Sequence, residues 1–320
     1  MKLQVLRRQV LDKLKLSNRG VKMLLVTGIT GHTGRYFLQE LIINNYEGPI
    51  RCIVRESSDT SLIDKSGLEI EKFIGDLRDE AFLDKCMKGV NKVVHIVNIR
   101  HTLPLIQAAI KNNVQRAICV HTTGIYSKFR LASEEYQIIE DKLKDILSET
   151  EINITILRPT MIYGDLVDRN MSKFIKMVDK LRFFPIVNNG KGLIQPVNAR
   201  DLGKAYYNVL MIPDEKVKFE YVLSGDKPIA LLDAFKLINK YLNKKTTFIS
   251  FPLGFSVFIA KSLRLFTAGK VDYIERVQRM SEDRCFSHEE AKADFKYTPE
   301  PFEYGIEREV REYLNKQQVG

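Results

Sequence analysis

The 320-residue chain contains no tryptophan, only four cysteines and no long apolar run. The cysteines are Cys52, Cys86, Cys119 and Cys285. They are far apart and form no CxxC pair, which excludes a disulfide framework and favours reduced thiols in the cytoplasm. The longest apolar candidate, residues 248–260, contains Pro252 and Gly254, whereas a membrane-spanning helix needs ~18 uninterrupted apolar residues. We therefore expect a cytoplasmic protein without a transmembrane segment.

Metal-ligand patterns are missing as well. None of the five histidines belongs to a pair of the HExxH type, and no cysteine accompanies them at a recognisable spacing. The sequence therefore predicts no metal centre.

Positive charge is concentrated at the N-terminus. The formal net charge is +10, from 50 basic and 40 acidic residues. Residues 1–22 hold seven basic residues and one acid, which leaves 43 basic and 39 acidic residues, a net charge of +4, for the other 298. Because this body is only mildly basic and carries no known recognition motif, we expect no nucleic-acid partner.

From residue 22 onwards, short apolar runs alternate with amphipathic stretches. The predicted strands are 22–27, 50–54, 69–74, 92–97, 115–121 and 153–158, and the predicted helices are 32–45, 59–66, 79–88, 102–113 and 133–148. Continuous apolar runs are typical of parallel strands that are buried on both faces. The alternation predicts a doubly wound α/β fold with a parallel sheet.

These patterns divide the chain into parts. Residues 1–21 form a basic amphipathic extension, and residues 22–165 together with about 195–225 form the predicted Rossmann domain. After Gly164 the sequence is rich in helix patterns with scattered proline and aromatic residues. We therefore expect residues 166–194 and 226–320 to form a second, smaller α/β domain that binds the substrate.

Three glycines, Gly28, Gly31 and Gly34, stand in GxxGxxG spacing between the first strand and the first helix. Gly28 permits a tight turn, Gly31 lets the backbone approach a pyrophosphate, and Gly34 permits close packing of helix on strand. The helix N-terminus offers free N–H groups to the anion, and the hydroxyls of Thr30 and Thr33 add donors. This turn predicts a dinucleotide-binding site.

The end of the second strand distinguishes the two nicotinamide cofactors. An acid there binds the ribose 2′-hydroxyl of NAD, whereas an arginine accommodates the 2′-phosphate of NADP. Arg55 therefore favours NADP(H) over NAD(H), although the adjacent Glu56 leaves NAD(H) open. Asp76 either accepts from the adenine amino group or caps the next helix, a role that Asp79 fills equally well. Further residues expected at the cofactor are His32, Leu77, Val97 and Asn98.

Several short motifs are specific in combination. They are the glycine turn at residues 27–34, Gly75-Asp76-Leu77, Val93-Val94-His95, residues 121–126, residues 157–164 and residues 197–202. With these motifs the chain resembles the extended and atypical branches of the short-chain dehydrogenase/reductase superfamily over residues 22–225. The resemblance implies a Rossmann fold, Pro159 near the cofactor, a nucleotide sugar as the small-molecule substrate, and a homodimer.

The resemblance also implies an activity. Its leading form is an NAD(P)-dependent oxidoreductase that reduces a keto group of a nucleotide-activated sugar. Two alternatives stay open: a nucleotide-sugar epimerase or dehydratase with tightly held NAD, and a non-catalytic NADP(H)-binding sensor or assembly protein.

In this superfamily a Ser or Thr after the fifth strand polarises the substrate carbonyl and a Tyr on the next helix transfers a proton, while a Lys four residues later lowers the Tyr pKa. The matching positions are Thr122 or Thr123 for the hydroxyl and Tyr136 for the tyrosine. Glu140 occupies the lysine position, where a carboxylate disfavours the phenolate. Tyr126, with a basic residue four positions later, is the second candidate and is predicted to lie in a loop.

Two apolar stripes stand outside the predicted sheet. The first comprises Leu3, Leu6, Val10 and Leu14, and the second comprises Phe248, Phe251, Phe255 and Phe258, followed by Lys261 and Arg264. Such stripes occur in helices on membrane surfaces, and more often in protein cores or dimer interfaces. Peripheral membrane contact is therefore an open hypothesis.

Overall fold

The computed structural model describes residues 22–129, 133–270 and 272–319. The predicted basic extension, residues 1–21, lies outside them. In chain order the strands are β1 (Met23–Thr27), β2 (Ile50–Val54), β3 (Ile70–Ile74), β4 (Val90–His95), β5 (Arg116–Val120), β6 (Asn153–Pro159), β7 (Ile162–Tyr163), β8 (Phe183–Val187), β9 (Leu193–Ile194), β10 (Val197–Asn198), β11 (Glu220–Leu223), β12 (Ile229–Ala230) and β13 (Thr247–Phe251).

The helices, again in chain order, connect and cover these strands. They are α1 (Gly34–Ile43), α2 (Ser61–Asp64), α3 (Glu80–Met87), α4 (Thr102–Lys111), α5 (Ser133–Ser148), α6 (Met171–Lys180), α7 (Ala199–Met211), α8 (Leu231–Tyr241), α9 (Leu253–Phe266), α10 (Ile274–Arg279), α11 (Glu289–Phe295) and α12 (Phe302–Val319). Short 3₁₀ turns cover Ile99–His101, Thr123–Tyr126 and Asn188–Gly190. None of the helices in the described part of the chain is both long and apolar enough to span a bilayer.

The main sheet contains seven strands in the order β11-β6-β5-β4-β1-β2-β3. Every neighbouring pair in it is parallel. The chain therefore starts at the centre of the sheet and winds first to one edge and then to the other, which confirms the predicted doubly wound fold. All carboxyl ends of these strands lie at one edge of the sheet, where ligands bind in such folds.

Strand β1 shows why the sheet is buried on both faces. Leu24 and Val26 pack with Phe37 of α1 in one core, whereas Leu25 packs with Leu105 of α4 in the core on the opposite face. Successive strand residues point to opposite faces, so two covered faces require a continuous apolar run. The run at residues 24–26 meets this requirement.

Helix α1 follows the glycine turn and is fixed against α7. A Cβ built on Gly203 of α7 would lie 2.6 Å from the backbone carbonyl carbon of Tyr36, so the close approach of the two helices requires glycine there. The Phe37 and Tyr206 rings pack edge to face at 6.3 Å between centroids. These contacts hold the N-terminus of α1 at the carboxyl edge of the sheet.

The predicted bounds of β2 and of helix α5 agree with the structure, and the bounds of the other predicted elements differ by one or more residues at their ends. Strand β4 covers Val90–His95 rather than 92–97. Strand β11 was not predicted as a strand, and it pairs with β6 at the edge of the sheet. Its four residues alternate between buried and half-buried, a pattern too short to distinguish from a loop.

A third hydrophobic core lies apart from the two cores on the faces of the sheet. Its buried members include Ile175 of α6, Phe184 of β8, Phe235 of α8 and Ile306 of α12. Around it, β13 pairs in parallel with β8, and β12 pairs antiparallel with β9. Helix α11 packs elsewhere, since Ala291 and Phe295 join the core of the main sheet.

Candidate active site

The turn between β1 and α1 is a backbone cradle that side chains would fill. Gly28 has φ +76°, and a Cβ on it would lie 3.0 Å from Val97 Cγ2. A Cβ on Gly34 would overlap the Gly28 carbonyl oxygen, and the Gly31 N–H donates to that same oxygen at 2.9 Å. The open N–H groups at the start of α1 adjoin this cradle. The turn therefore fits the pyrophosphate of a dinucleotide.

The side chains of this turn are tied to the loop after β7. His32 Nε2 lies 3.2 Å from Asp165 Oδ1, the Tyr36 hydroxyl donates to Asp165 Oδ2 at 2.7 Å, and Arg35 forms an ion pair with the same carboxylate. Burial raises the pKa of Asp165, but the bonds from His32 and Tyr36 outweigh it and hold that pKa below its ordinary value. His32 therefore anchors the turn to this loop. Of the two predicted hydroxyl donors, Thr30 is half-buried and Thr33 is buried.

The ends of β2 and β3 carry two arginines. Arg55 is exposed, and its backbone N–H donates to Ser58 Oγ at 3.1 Å. Asp76 accepts from Arg78 Nε at 3.1 Å, and this bond lowers the pKa of Asp76 to about 2. Asp79 caps α3 by accepting from its first turn, so the capping role considered for Asp76 belongs to Asp79.

Other predicted cofactor residues lie at neighbouring strand ends. The Val97 side chain abuts Gly28, and Asn98 Oδ1 accepts from the Arg100 N–H at 3.1 Å in the turn after β4. Leu77 is half-buried against the core beneath α3 and α4. Pro159 ends β6 and is buried.

A cavity of about 360 Å³ lies where β5 and β6 end. Its volume is in the range of small-molecule sites. Its lining comes from the turn after β5, the segment after β6, and a late segment at residues 279–286. The polar side chains that line it are Thr122, Thr123, Tyr126, Ser127, Thr160, Asn170, Gln195, Arg279, Glu282, Asp283 and Arg284.

The two candidate threonines at this cavity differ in their hydrogen bonds. Thr122 Oγ1 accepts from the Gly124 N–H at 3.0 Å, so its own hydroxyl proton is available to a ligand. Thr123 instead donates its proton to the Pro159 carbonyl oxygen at 3.2 Å. Thr122 is therefore the better donor to a substrate carbonyl.

The two candidate tyrosines are placed differently. Tyr126 lies in a 3₁₀ turn, lines the cavity and is 48% exposed. Its ring lies 5.6 Å from the Arg158 guanidinium carbon, and burial raises the pKa of its hydroxyl while Arg158 opposes that rise. Tyr136 lies on α5 outside the cavity lining, buried with Ile99 and Ile125, with the Arg100 guanidinium carbon 5.4 Å from its ring.

Glu140, at the superfamily's lysine position, belongs to a buried ion cluster. Arg158 donates to its two oxygens at 2.6 and 2.8 Å, and His121 Nδ1 lies 2.9 Å away. Burial raises the pKa of Glu140, but these partners outweigh it and lower that pKa to about 2. Burial lowers the pKa of His121, consistent with a neutral ring that donates to Glu140 and accepts from Thr102 at Nε2, 3.1 Å away.

Both arginines of the cavity were missed from the sequence. Arg279 ends α10, and Arg284 follows it in a segment without helical or strand periodicity. Burial, and next the charge of Arg279, lower the pKa of Arg284 to about 10. Glu282 holds the segment in place by accepting from Ser127 Oγ at 2.7 Å. The carboxylates of Glu282 and Asp283 in the same wall accept from the backbone N–H groups of Lys128 and Leu193. The neighbouring guanidinium groups are the cations that this wall offers to an anionic ligand.

The described residues hold no cluster of three or more His, Cys, Asp and Glu side chains suited to a metal ion. Residues 28–177 match a protein-family model described as NAD(P)H-binding. The match covers the glycine turn, the strand ends beside it and the turn that carries Thr122 and Tyr126.

Three curated proteins are similar in sequence. Sterol demethylase protein B of Methylococcus capsulatus is 31% identical over 116 residues, or 31% of this chain and 34% of that protein, so the chain spans about a third of its length. UDP-glucose 4-epimerase of Vibrio cholerae is 23% identical over 280 residues, covering 70% of this chain and 83% of that protein. N-acetyl-alpha-D-glucosaminyl-diphospho-ditrans,octacis-undecaprenol 4-epimerase of Escherichia coli O157:H7 is 24% identical over 217 residues, covering 57% and 64%.

Solved structures share the fold over nearly the whole chain. The UDP-glucose 4-epimerase of Thermotoga maritima, solved with UDP-glucose, superposes with a TM-score of 0.70 at 15% identity and covers 92% of this chain and 99% of that one. This likeness concerns the fold. Together with the match over residues 28–177, it shows that the chain carries an NAD(P)H-binding domain within the fold that this nucleotide-sugar epimerase shares.

Proposed function

We propose that the protein is an NADP(H)-dependent oxidoreductase that reduces a keto group on a diphosphate-linked sugar, with a nucleotide sugar as the leading substrate class. The observation that carries the proposal is the cavity at the ends of β5 and β6, where Thr122 and Tyr126 share one lining with Arg279 and Arg284. Hydroxyls that bind a carbonyl and cations that bind a diphosphate are the groups that such a substrate needs. The sugar epimerases among the relatives support this class.

The cofactor would be held by the glycine turn and the strand ends. Gly28, Gly31 and Gly34 with the α1 N-terminus suit the pyrophosphate, and Arg55 suits a ribose 2′-phosphate. Pro159 lies beside the cavity, because its carbonyl oxygen accepts from Thr123, which lines the cavity. When bound, the nicotinamide supplies hydride to the carbonyl carbon.

The chain's own hydroxyls would act at the carbonyl oxygen. Thr122 donates a hydrogen bond to that oxygen, because its hydroxyl accepts from the Gly124 N–H and keeps its own proton for a ligand. Tyr126 transfers its hydroxyl proton to the oxygen, and the nearby Arg158 stabilises the phenolate that remains. In this arrangement Arg158 does part of what the superfamily's lysine does. The placement of Tyr126 in the cavity favours it over Tyr136 as the proton donor.

The Tyr126→Phe substitution tests this assignment. We expect it to lower turnover by about 10²- to 10⁴-fold, because a general acid contributes roughly that factor. The Tyr136→Phe change is expected to leave turnover within about threefold, and so is Tyr304→Phe, a control at an exposed tyrosine. The assay follows nicotinamide absorbance with NADPH and a nucleotide-linked 4-keto sugar. If Tyr136→Phe lowers turnover much more than Tyr126→Phe does, Tyr136 is the proton donor instead.

The Arg55→Ala substitution tests the cofactor preference. A charge-assisted hydrogen bond contributes ~1.5–3 kcal/mol, so we expect NADPH affinity to fall by about tenfold or more. NADH affinity should stay within about twofold, since NADH lacks the phosphate that Arg55 would bind. Calorimetric titration measures both, with Arg311→Ala as a control at an exposed arginine on α12. Equal losses for the two cofactors would contradict the NADP(H) assignment.

A second candidate function is dinucleotide binding without turnover, as in a redox sensor or assembly subunit. The observation that favours it is Glu140, since the carboxylate at the lysine position is locked to Arg158 and His121. Under this reading none of the tyrosine substitutions changes a measurable rate, because there is no rate to change. A chain that binds NADPH but turns over no sugar substrate would support it.

The Glu140→Lys substitution tests whether Glu140 is needed for the stability of the fold or only stands where a catalytic lysine has been lost. It would place two cations in a buried site, so we expect a loss of about 3–5 kcal/mol of unfolding free energy and no gain of activity. Glu134→Lys, at an exposed position on the same helix, is the control and should cost less than about 0.5 kcal/mol. Urea unfolding measures both.

The pH dependence follows from the same cluster. The folded-state pKa of Glu140 is about 2, below its ordinary value, so the carboxylate stabilises the fold above ~4.5 and loses this effect as pH falls towards the folded value. The stability difference between the wild type and Glu140→Gln should therefore shrink on acidification.

A stable, more active Glu140→Lys variant would contradict the structural role.

A further inference from the structure

Helix α9 presents an apolar face to solvent. Its exposed side chains include Phe258 at 65%, Leu265 at 80% and Phe266 at 87%, together with the exposed Phe255 and Ile259. Positions 255, 258, 259, 265 and 266 recur at the helical period and share one side of the helix. We call these five residues the α9 face.

The opposite side of α9 rests on the protein. This side carries Leu253, Val257 and Ala260, which follow one another at helical spacing. Leu253 and Val257 are half-buried, and Ala260 is buried at 4% exposure. A surface helix of a globular protein normally buries its apolar stripe and exposes a polar one. Helix α9 instead exposes its largest apolar side chains, an arrangement that marks an interaction surface.

The charges on and after α9 identify what this face fits. The helix contains no acidic residue, Lys261 and Arg264 lie on it, and Lys270 follows it. Arg264 Nη1 is 3.3 Å from Asp272, the single acid of residues 253–272. Two copies that met through α9 would bring Lys261 and Lys270 of both chains close together, where their charges repel. The chain's own residues 1–21, with six basic residues and one acid, carry that sign too.

We propose that the α9 face docks on a membrane surface that contains anionic phospholipids. Apolar side chains would enter the boundary of the acyl chains while Lys261 and Lys270 meet the headgroups, as in helices that lie in the membrane interface. The 14 residues of α9 form a helix of ~21 Å, shorter than the ~30 Å core of a bilayer. The helix would therefore lie on the membrane and not cross it.

Docking at α9 would also place the bilayer close to the cavity. Helix α10 packs against α9, and its last residue, Arg279, lines the cavity. A bilayer held at α9 would lie one short helix away from the proposed diphosphate site. This places a lipid-linked diphospho-sugar within the substrate class, as in the name of the Escherichia coli relative. That consequence rests on the proposed function, whereas the docking does not.

Co-sedimentation with vesicles tests the docking. The full-length protein is mixed with vesicles of phosphatidylcholine, with or without phosphatidylglycerol. The test variant is Phe258→Ser/Leu265→Ser/Phe266→Ser, and the matched control is Ile43→Ser/Tyr304→Ser, which changes exposed apolar residues elsewhere. We expect the wild type and the control to sediment with anionic vesicles, and the triple variant to lose at least about tenfold in partitioning. High salt should weaken the binding.

Several outcomes would overturn the docking. They are a wild type that stays in the supernatant, a triple variant that partitions like the wild type, and a wild-type dimer in light scattering that the triple variant converts to monomer. The last outcome assigns the face to a second copy of the chain. NADPH binding is measured on every variant. A triple variant that still binds NADPH is folded. A wild type that binds no NADPH would contradict the proposed function, and the vesicle result would stand independently.

Discussion

Neutralisation of the buried Glu140 carboxylate is the constraint on which the arrangement around the cavity depends. An uncompensated charge at 4% exposure would cost several kcal/mol. Arg158 from β6 supplies the opposite charge and His121 from the end of β5 a hydrogen bond, so α5 is tied to the sheet at the level of the cavity. Because Arg158 also lies beside the Tyr126 ring, the same cluster positions the tyrosine that we propose as the proton donor.

The main sheet was predictable because its information is local. Stretches rich in apolar residues, such as residues 50–54 with four of five, and the glycines of the first turn determine strand, turn and helix within a few residues of themselves. The bounds of β2 agree with the prediction. Strand β11 was not predicted, because four residues show too little periodicity to identify a strand. The position of Arg279 and Arg284 at the cavity was not predicted for another reason. Tertiary bonds from Ser127 Oγ and the Lys128 N–H to Glu282 bring their segment to the turn after β5.

The site is consequently of two kinds. On the cofactor side it consists of backbone: a cradle of glycines whose added Cβ atoms would meet Val97 or the Gly28 carbonyl. On the substrate side it consists of side chains from distant parts of the chain, and the choice between Tyr126 and Tyr136 depends on how the turn after β5 folds. A sequence motif specifies the first kind directly. The second kind requires the packing of the late segment and of α9 and α10, which is also where the apolar surface lies.

The central claim is that the glycine turn and Arg55 hold NADP(H) as an exchangeable cofactor. Native mass spectrometry of freshly purified, untagged protein, with NADPH and NADH then added in turn, tests it without knowledge of the substrate. We predict either retained NADP(H) or an empty chain that binds NADPH in preference to NADH. A chain that retains NAD(H) would contradict the claim and favour an epimerase cycle with a resident cofactor. A chain that binds neither dinucleotide would contradict both proposed functions.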